Sequence, residues 1–217
     1  MADLVSQIKG LDNVTYDLQD KVSTFGNENL LGATANYVLP ISTMNAAFTF
    51  GQTAGYNSSI SLFILEDYDD SSNSLVLNND TGTGNRGCSW CTKPGAIEAG
   101  ETYTFTCLIK PSLATKAHMH TAWRNGSATA AYTGWTSQNS INISADTWTQ
   151  YRFTFQPNAN AQLDWEFIIG MCVTGNSSGL TCRFAHAKLE KGNKPTDWTP
   201  SCYDLATYSN ETIEFFQ

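Results

Sequence analysis

The chain has 217 residues, a formal net charge of −8 and a sequence pI near 4.7. Charged residues make up 15% of it, below the roughly 25% of an average domain, while 41% of the residues are hydrophobic and can form a substantial core. The acidic balance excludes nucleic acid as a primary partner, and no apolar stretch is long enough for membrane insertion. The start of the chain lacks the pattern of a signal peptide, which predicts synthesis in a cytoplasm.

Residues 1–27 are predicted to form an N-terminal attachment helix, with a heptad pattern through Phe25 whose a and d positions are apolar except for Thr15. Such a pattern predicts a short coiled coil that oligomerises the chain; an amphipathic helix packed on its own domain is the alternative. Gly26 and Asn27 end the predicted helix. The residues that define the predicted oligomerisation seam are Leu4, Ile8, Leu11, Leu18, Val22 and Phe25.

The pattern changes to period two from about Asn29 onward. Segments such as ETYTFTCLI, TWTQYRFTF and LTCRFAHAKLE alternate between apolar and polar residues, and turn-rich stretches such as TGNSSG separate them. Short alternating strands without a long helical pattern predict an antiparallel β-sandwich over residues 28–204. Residues 205–217 form a predicted C-terminal tail.

The last predicted strand runs into the segment AKLEKGNKPTDWTPS, residues 187–201. Together with the opening segment GNENLLGATANYVL, residues 26–39, it resembles the ends of jelly-roll modules in bacteriophage tail and minor structural proteins. The resemblance covers about residues 29–204. It departs from the family after Thr199 and Pro200, where Ser-Cys-Tyr-Asp replaces the usual Pro-Glu-Asp.

This resemblance implies a mainly β fold, a jelly-roll β-sandwich similar to carbohydrate-binding modules, preceded by the short coiled-coil helix. It also implies a virion protein of the tail fibre, head fibre or baseplate type, made in the bacterial host cytoplasm and commonly a homotrimer. Its N-terminal helix would attach to other virion proteins, and its head would bind a bacterial cell-surface polysaccharide. The alternative is a purely structural virion component, a head fibre, decoration protein or tail connector without glycan specificity.

No catalytic motif stands out in the sequence. GxSxG, HExxH and a nucleophile–base pair are all absent, so we expect no enzyme and no cofactor.

Three tryptophans lie in polar, Gly/Ser/Thr-rich surroundings. Flat aromatic faces stack on the C–H faces of sugars, and amide, guanidinium and phenol groups hydrogen-bond to hydroxyls. These tryptophans could instead pack on a trimer partner; the other three are expected to be structural. The predicted glycan-binding residues are Trp90, Trp123, Arg124, Asn125, Tyr132, Trp135 and Gln138.

The closing segment itself is predicted to be structural. Lys188, Glu190 and Lys191 are expected to face water at a sheet edge, where charge discourages edge-to-edge pairing. Trp198 is expected to fold back over the open end of the sandwich.

The segment EDYDDSSNS places oxygen ligands at Asp67, Asp69 and Asn73, as in the start of a calcium loop. Ser72 and Asn78 stand where such a loop needs Gly and Glu, so a solvated turn is the preferred interpretation.

The cysteines leave two further possibilities open. Cys88 and Cys91 could join His118 and His120 in a zinc site, and Cys172 could bridge to Cys182 across a hairpin. Free thiols are the default interpretation in a chain without a signal peptide.

Overall fold

The fold is taken from a computed structural model that describes residues 28–32, 34–35, 37, 39–43, 53–56, 59–69, 72–98, 100–124, 133–157, 165–202 and 204. The predicted coiled coil, with Leu4, Ile8, Leu11, Leu18, Val22 and Phe25, lies outside these residues, as does the predicted tail 205–217. None of the helical segments in the described ranges is long and apolar enough to cross a membrane.

The described residues form short β-strands and one 3-10 turn. In chain order the strands are β1 Ser42–Thr43, β2 Ala54–Tyr56, β3 Phe63–Asp69, β4 Ser72–Asp80, β5 Asn85–Cys91, β6 Tyr103–Pro111, β7 Thr115–Arg124, β8 Thr133–Ile143, β9 Thr149–Phe155, β10 Glu166–Thr174 and β11 Leu180–Lys191. The 3-10 turn, Ile60–Leu62, leads into β3.

These strands build two sheets. Within the described ranges, sheet A has six strands in the order β1-β2-β5-β10-β7-β8, and sheet B has five in the order β3-β4-β11-β6-β9. Every pair is antiparallel except β1 with β2. The predicted antiparallel sandwich is therefore confirmed.

The main core lies between the two sheets. Residues of strands β3 to β11 supply it, including Trp90 from β5, Phe105 from β6 and Met171 from β10. Strand β10 is buried from Glu166 to Val173, so both of its faces are covered, as expected for a central strand with a near-continuous apolar run. The opposite faces of sheets A and B, which point away from this core, are called the outward faces below.

Strand β11 lies in the middle of sheet B, between β4 and β6, and not at an edge. The prediction that Lys188 and Glu190 face water was therefore wrong, since both side chains are 0% exposed. The Lys188 Nζ atom lies 3.6 Å from Oε2 of Glu190. Lys188 Nζ donates to Thr196 Oγ1 and to the carbonyl of Asp197, each at 2.7 Å. The Glu190 carboxylate accepts from the Thr196 amide and hydroxyl. The closing segment thus folds back over β11 and covers this buried pair.

Trp198 does not cap the open end of the sandwich. Its indole stacks on the imidazole of His186 in β11, with ring centroids 3.9 Å apart and planes 1° apart. His186 is absent from the core between the sheets, so this stack lies on the outward face of sheet B.

Buried polar side chains join the opening and closing segments of the domain. The Asn29 side chain donates to the carbonyls of Ala187 and Thr199 and accepts from the Leu189 amide. The Asp204 carboxylate accepts from the amide and hydroxyl groups of Thr34 and Ser201. The two segments that carry the resemblance are therefore in direct contact.

Candidate functional site

The candidate site is a row of small residues on the outward face of sheet A, called the trough. It consists of Gly87 and Ser89 in β5 and Gly170 and Cys172 in β10. The register pairs Gly170 with Ser89 and Cys172 with Gly87, so these four residues are neighbours on one face. Residues this small leave space above two adjacent strands.

Two large side chains fill part of that space. Tyr56 comes from β2 and His120 from β7, with β5 and β10 between them. Three strand spacings separate β2 from β7, roughly 14 Å. The two rings nevertheless stack, with centroids 4.3 Å apart and planes 28° apart. They must therefore reach towards each other over the trough.

Gly170 is required for this arrangement. A Cβ added there would lie 2.0 Å from Cε1 of His120 and 2.6 Å from Oγ of Ser89. Real Cβ atoms do not approach other atoms so closely, so the imidazole occupies the space that the missing side chain leaves. Position 170 requires glycine because the His120 ring lies so close to the backbone there, and not because the backbone adopts an unusual conformation.

His120 is held by hydrogen bonds at both ring nitrogens. Its Nε2 lies 2.9 Å from Oγ of Ser89, and its Nδ1 lies 3.2 Å from Sγ of Cys172. Burial, and to a smaller extent neighbouring His118, lower the pKa of His120 to about 3. Burial also raises the pKa of Cys172 well above its usual value. The pair is therefore a neutral imidazole and a protonated thiol, suited to hydrogen bonding and not to nucleophilic attack.

The neutral state of His120 predicts loss of stability in acid. The folded pKa of His120 lies below the ordinary 6.5, so the unfolded chain takes up the proton first. The neutral imidazole therefore contributes its full stabilisation above pH 6.5. Below that pH, its contribution to the free energy of unfolding falls by about 1.4 kcal/mol for each pH unit, towards pH 3. Urea unfolding of wild type and His120→Gln between pH 7 and 4.5 measures this contribution. We expect a shallower decline for the variant; parallel declines would contradict the assignment.

The far end of the outward face is closed by a buried ion pair. Arg124 in β7 faces Glu166 in β10, and its Nε and Nη2 donate to Oε2 at 2.8 and 2.5 Å. Cys91 lies nearby in a small apolar cluster with Ala122. Burial, and then the Glu166 charge, raise the pKa of Cys91 to about 12, so this thiol is unreactive.

The opposite end of the trough is accessible. Tyr56 and His118 are partly exposed, and beyond them Lys116 and Thr174 are exposed. Lys116 and Thr174 also line an open pocket of about 460 Å³. Leu180 and Ile143 supply apolar lining to that pocket, and Asn142 and Asn176 supply amides. The trough thus leads from a buried, charge-paired end to an open, polar one.

The sandwich is similar in fold to solved structures of proteins described in connection with carbohydrates. A protein from Bacteroides thetaiotaomicron VPI-5482, described as a candidate sugar-binding protein, matches 76% of this chain and 100% of its own, with a TM-score of 0.54 and 14% identity. A family 22 carbohydrate-binding module from Clostridium thermocellum matches 78% of this chain and 99% of its own, with a TM-score of 0.53 and 13% identity.

An arabinose-bound α-L-arabinofuranosidase also matches 77% of this chain, but only 27% of the enzyme is covered, with a TM-score of 0.51 and 17% identity. No family model and no curated protein sequence matches the chain. At these identities the structural matches establish the fold alone.

Two of the three predicted stacking tryptophans lie in the core. Trp90 is 0% exposed and Trp123 is 5% exposed, and both belong to the cluster between the sheets. Trp123 packs edge-on against Phe167 at 4.9 Å. The prediction that these indoles face a ligand was therefore wrong: neither can stack on a sugar without opening the sandwich.

The other predicted glycan-binding residues have different outcomes. Arg124 lies on the outward face of sheet A, but it is buried against Glu166 and not open to a ligand. Asn125 and Tyr132 lie outside the described residues. Trp135 and Gln138 belong to β8, next to β7 at the border of sheet A, and their role stays a prediction.

The predicted calcium ligands are spread along the β3–β4 hairpin. Asp67 pairs in register with Asn73, and Asp69 with Ser72. The Asn73 carboxamide oxygen accepts from the Tyr37 amide, and Asp69 accepts from the Ser72 hydroxyl. Among the residues that the structure describes, no three acidic, His or Cys side chains form a group that could hold a metal ion.

The cysteine alternatives are also resolved. Cys88 faces the core and Cys91 faces outward, so they cannot share a zinc ion with His118 and His120. Cys172 lies on the trough while Cys182 lies in the core, so no hairpin bridge forms. All six cysteines are within the described ranges, and all are free.

Tyr56 and Gly170 were not predicted as site residues, and His120 was predicted only as a possible metal ligand. The segment AHMHTAW did place His118 and His120 on one face of a strand. The partners of His120 come from β2, β5 and β10, which are distant in sequence, so no local pattern could have revealed the site.

Proposed function

We propose that the sandwich binds glycan on the outward face of sheet A, at the accessible end of the trough. The observation that carries this proposal is the stacked Tyr56–His120 pair, held over small residues next to an open polar pocket. The partly exposed phenol offers a flat face for a sugar ring, and His118, Lys116 and Thr174 offer hydrogen-bonding groups along the path towards the pocket. No catalytic step is proposed.

The shared fold supports the same proposal. The family 22 module from Clostridium thermocellum has a cleft whose residues are associated with ligand binding. We infer a non-catalytic binding role of that kind for this chain. Together with the resemblance to bacteriophage modules, this suggests a trimeric virion fibre or baseplate protein that adsorbs to a bacterial surface polysaccharide. Several weak sites on one particle would then act together through avidity.

Tyr56 is the residue to test. We expect Tyr56→Ala to weaken binding to polysaccharide by roughly three- to tenfold, since one stacking face is lost. Tyr56→Phe keeps the ring and is expected to bind nearly as well as wild type. Affinity electrophoresis in gels containing xylan, mixed-linkage β-glucan or mannan, and adsorption to purified bacterial walls, measure the effect. Ser144→Ala, at an exposed turn position, is the control.

The rival function, a structural virion component, makes the opposite prediction. It requires wild type and Tyr56→Ala to migrate identically in every gel and to adsorb equally to bacterial walls. Such a result would contradict glycan binding by this face of the protein.

A further inference from the structure

Four aromatic rings form a continuous row on the outward face of sheet B, on the opposite side of the molecule from the trough. The indole of Trp148 meets Tyr68 edge-on at 5.0 Å, Tyr68 meets His186 at 4.4 Å, and His186 stacks on Trp198 at 3.9 Å. All four side chains are partly exposed. Unlike Trp90 and Trp123, these rings are within reach of a ligand. The set Tyr68, Trp148, His186 and Trp198 is called the aromatic row.

A β-bulge places His186 in this row. The register of β11 against β6 shifts between Ala185 and Lys188, and His186 has a φ of +52°. A non-glycine residue at such a φ is uncommon, and bulges re-aim side chains near functional sites. The imidazole is then fixed in place, since its Nε2 lies 3.0 Å from the Ser72 hydroxyl and 3.4 Å from the Asp69 carboxylate.

Charged groups accompany the rings on the same face. Glu66 precedes Tyr68 by two positions in β3, and it accepts two hydrogen bonds from Arg183 of β11, at 2.5 and 3.0 Å. Both side chains are partly exposed, as is the carboxylate of Asp69. The row is therefore flanked by a fixed guanidinium–carboxylate fork and a further acceptor.

This combination fits one class of ligand. Sugar rings stack their C–H faces on aromatic rings, and paired carboxylate and guanidinium groups hydrogen-bond to adjacent hydroxyls. A partner protein is the alternative occupant, since Tyr, Trp and Arg are also enriched at protein interfaces; it predicts that no polysaccharide binds this face. The partly exposed carboxylate of Asp69, next to Tyr68, disfavours an anionic chain beside the rings, so the ligand class is an uncharged, hydroxyl-rich polysaccharide.

We propose that the aromatic row is a second glycan-binding surface of this domain, separate from the trough. It takes an uncharged polysaccharide chain across Tyr68 and Trp148, with the Glu66–Arg183 pair and Asp69 as hydrogen-bonding partners. Two binding surfaces on opposite faces let one domain bridge two polysaccharide chains.

The experiment uses the full-length protein and affinity electrophoresis in gels of xylan, mixed-linkage β-glucan or mannan. We expect Tyr68→Ala and Trp148→Ala each to weaken retardation by at least one of these polymers by roughly three- to tenfold. Tyr68→Phe, which keeps the ring, is expected to bind nearly as well as wild type. Trp198 is not used, because it belongs to the closing segment that covers β11. Thermal unfolding of each variant verifies that the protein is folded at the temperature of the gel.

The outcomes separate this surface from the trough. Weaker binding in the Tyr68 and Trp148 variants supports the second surface, whether or not Tyr56→Ala also binds less well. Binding that falls in Tyr56→Ala but is unchanged in folded Tyr68→Ala and Trp148→Ala overturns the second surface and leaves the trough standing. A lower melting temperature with unchanged binding also overturns it, since the rings would then serve only to hold the closing segment. Wild type that no polymer retards overturns both surfaces.

Discussion

Replacing Lys188 with alanine is expected to lower the free energy of unfolding by about 3–5 kcal/mol, the cost of breaking a buried ion pair. Lys188 and Glu190 are both 0% exposed, so the substitution leaves the Glu190 carboxylate in the protein interior without its cation. It also removes two hydrogen bonds that hold the closing segment at Thr196 and Asp197. Urea or guanidinium unfolding at pH 7 measures the loss.

Lys191 provides a matched control three positions along the same strand. Its ammonium group contacts Glu98 at 3.1 Å and Glu101 at 3.2 Å, but its side chain is 45% exposed. Water screens such a surface pair, so Lys191→Ala is expected to unfold close to wild type. Equal losses in the two variants would show that Lys188 is not buried in solution and that the closing segment does not cover β11.

Replacing Asp204 with alanine is expected to cost at least about 3 kcal/mol. The carboxylate is 1% exposed and accepts hydrogen bonds from the amides and hydroxyls of Thr34 and Ser201. Truncation leaves these donors buried without an acceptor and removes one of the polar links between the opening and closing segments, while the link through Asn29 remains. Asp204→Asn keeps the size of the side chain and one acceptor oxygen, so we expect a smaller loss.

The control for Asp204 is Asp67, an exposed carboxylate in β3. Asp67→Ala is expected to change the unfolding midpoint little, since surface substitutions have small effects. An Asp204→Ala protein as stable as Asp67→Ala would contradict the role of Asp204 in joining the two ends of the domain.

The sandwich itself could be predicted from local patterns, because burial of one sheet face imposes a period of two on the sequence. This held for β6, β7, β9 and β11, whose alternating apolar residues fall within the predicted segments. Strands β5 and β8 were not predicted, since NRGCSWC and TGWTSQNSINI are rich in Gly, Ser, Thr and Asn and show little apolar alternation. In β5 the small residues are there because the rings of Tyr56 and His120 pass above them.

The sequence by itself therefore determined the mainly β fold class, the approximate strands and the acidic net charge. The tertiary structure decided which side chains are buried, because burial depends on the position of a strand within its sheet. The sequence predicts that Lys188 and Glu190 are charged residues of an edge strand, but β11 lies between β4 and β6 and buries both side chains. The sequence predicts that Trp90 contacts a ligand, but β5 pairs with β10 in sheet A and its indole lies in the core. Both candidate surfaces combine strands that are distant in sequence, and only long-range pairing brings their residues together.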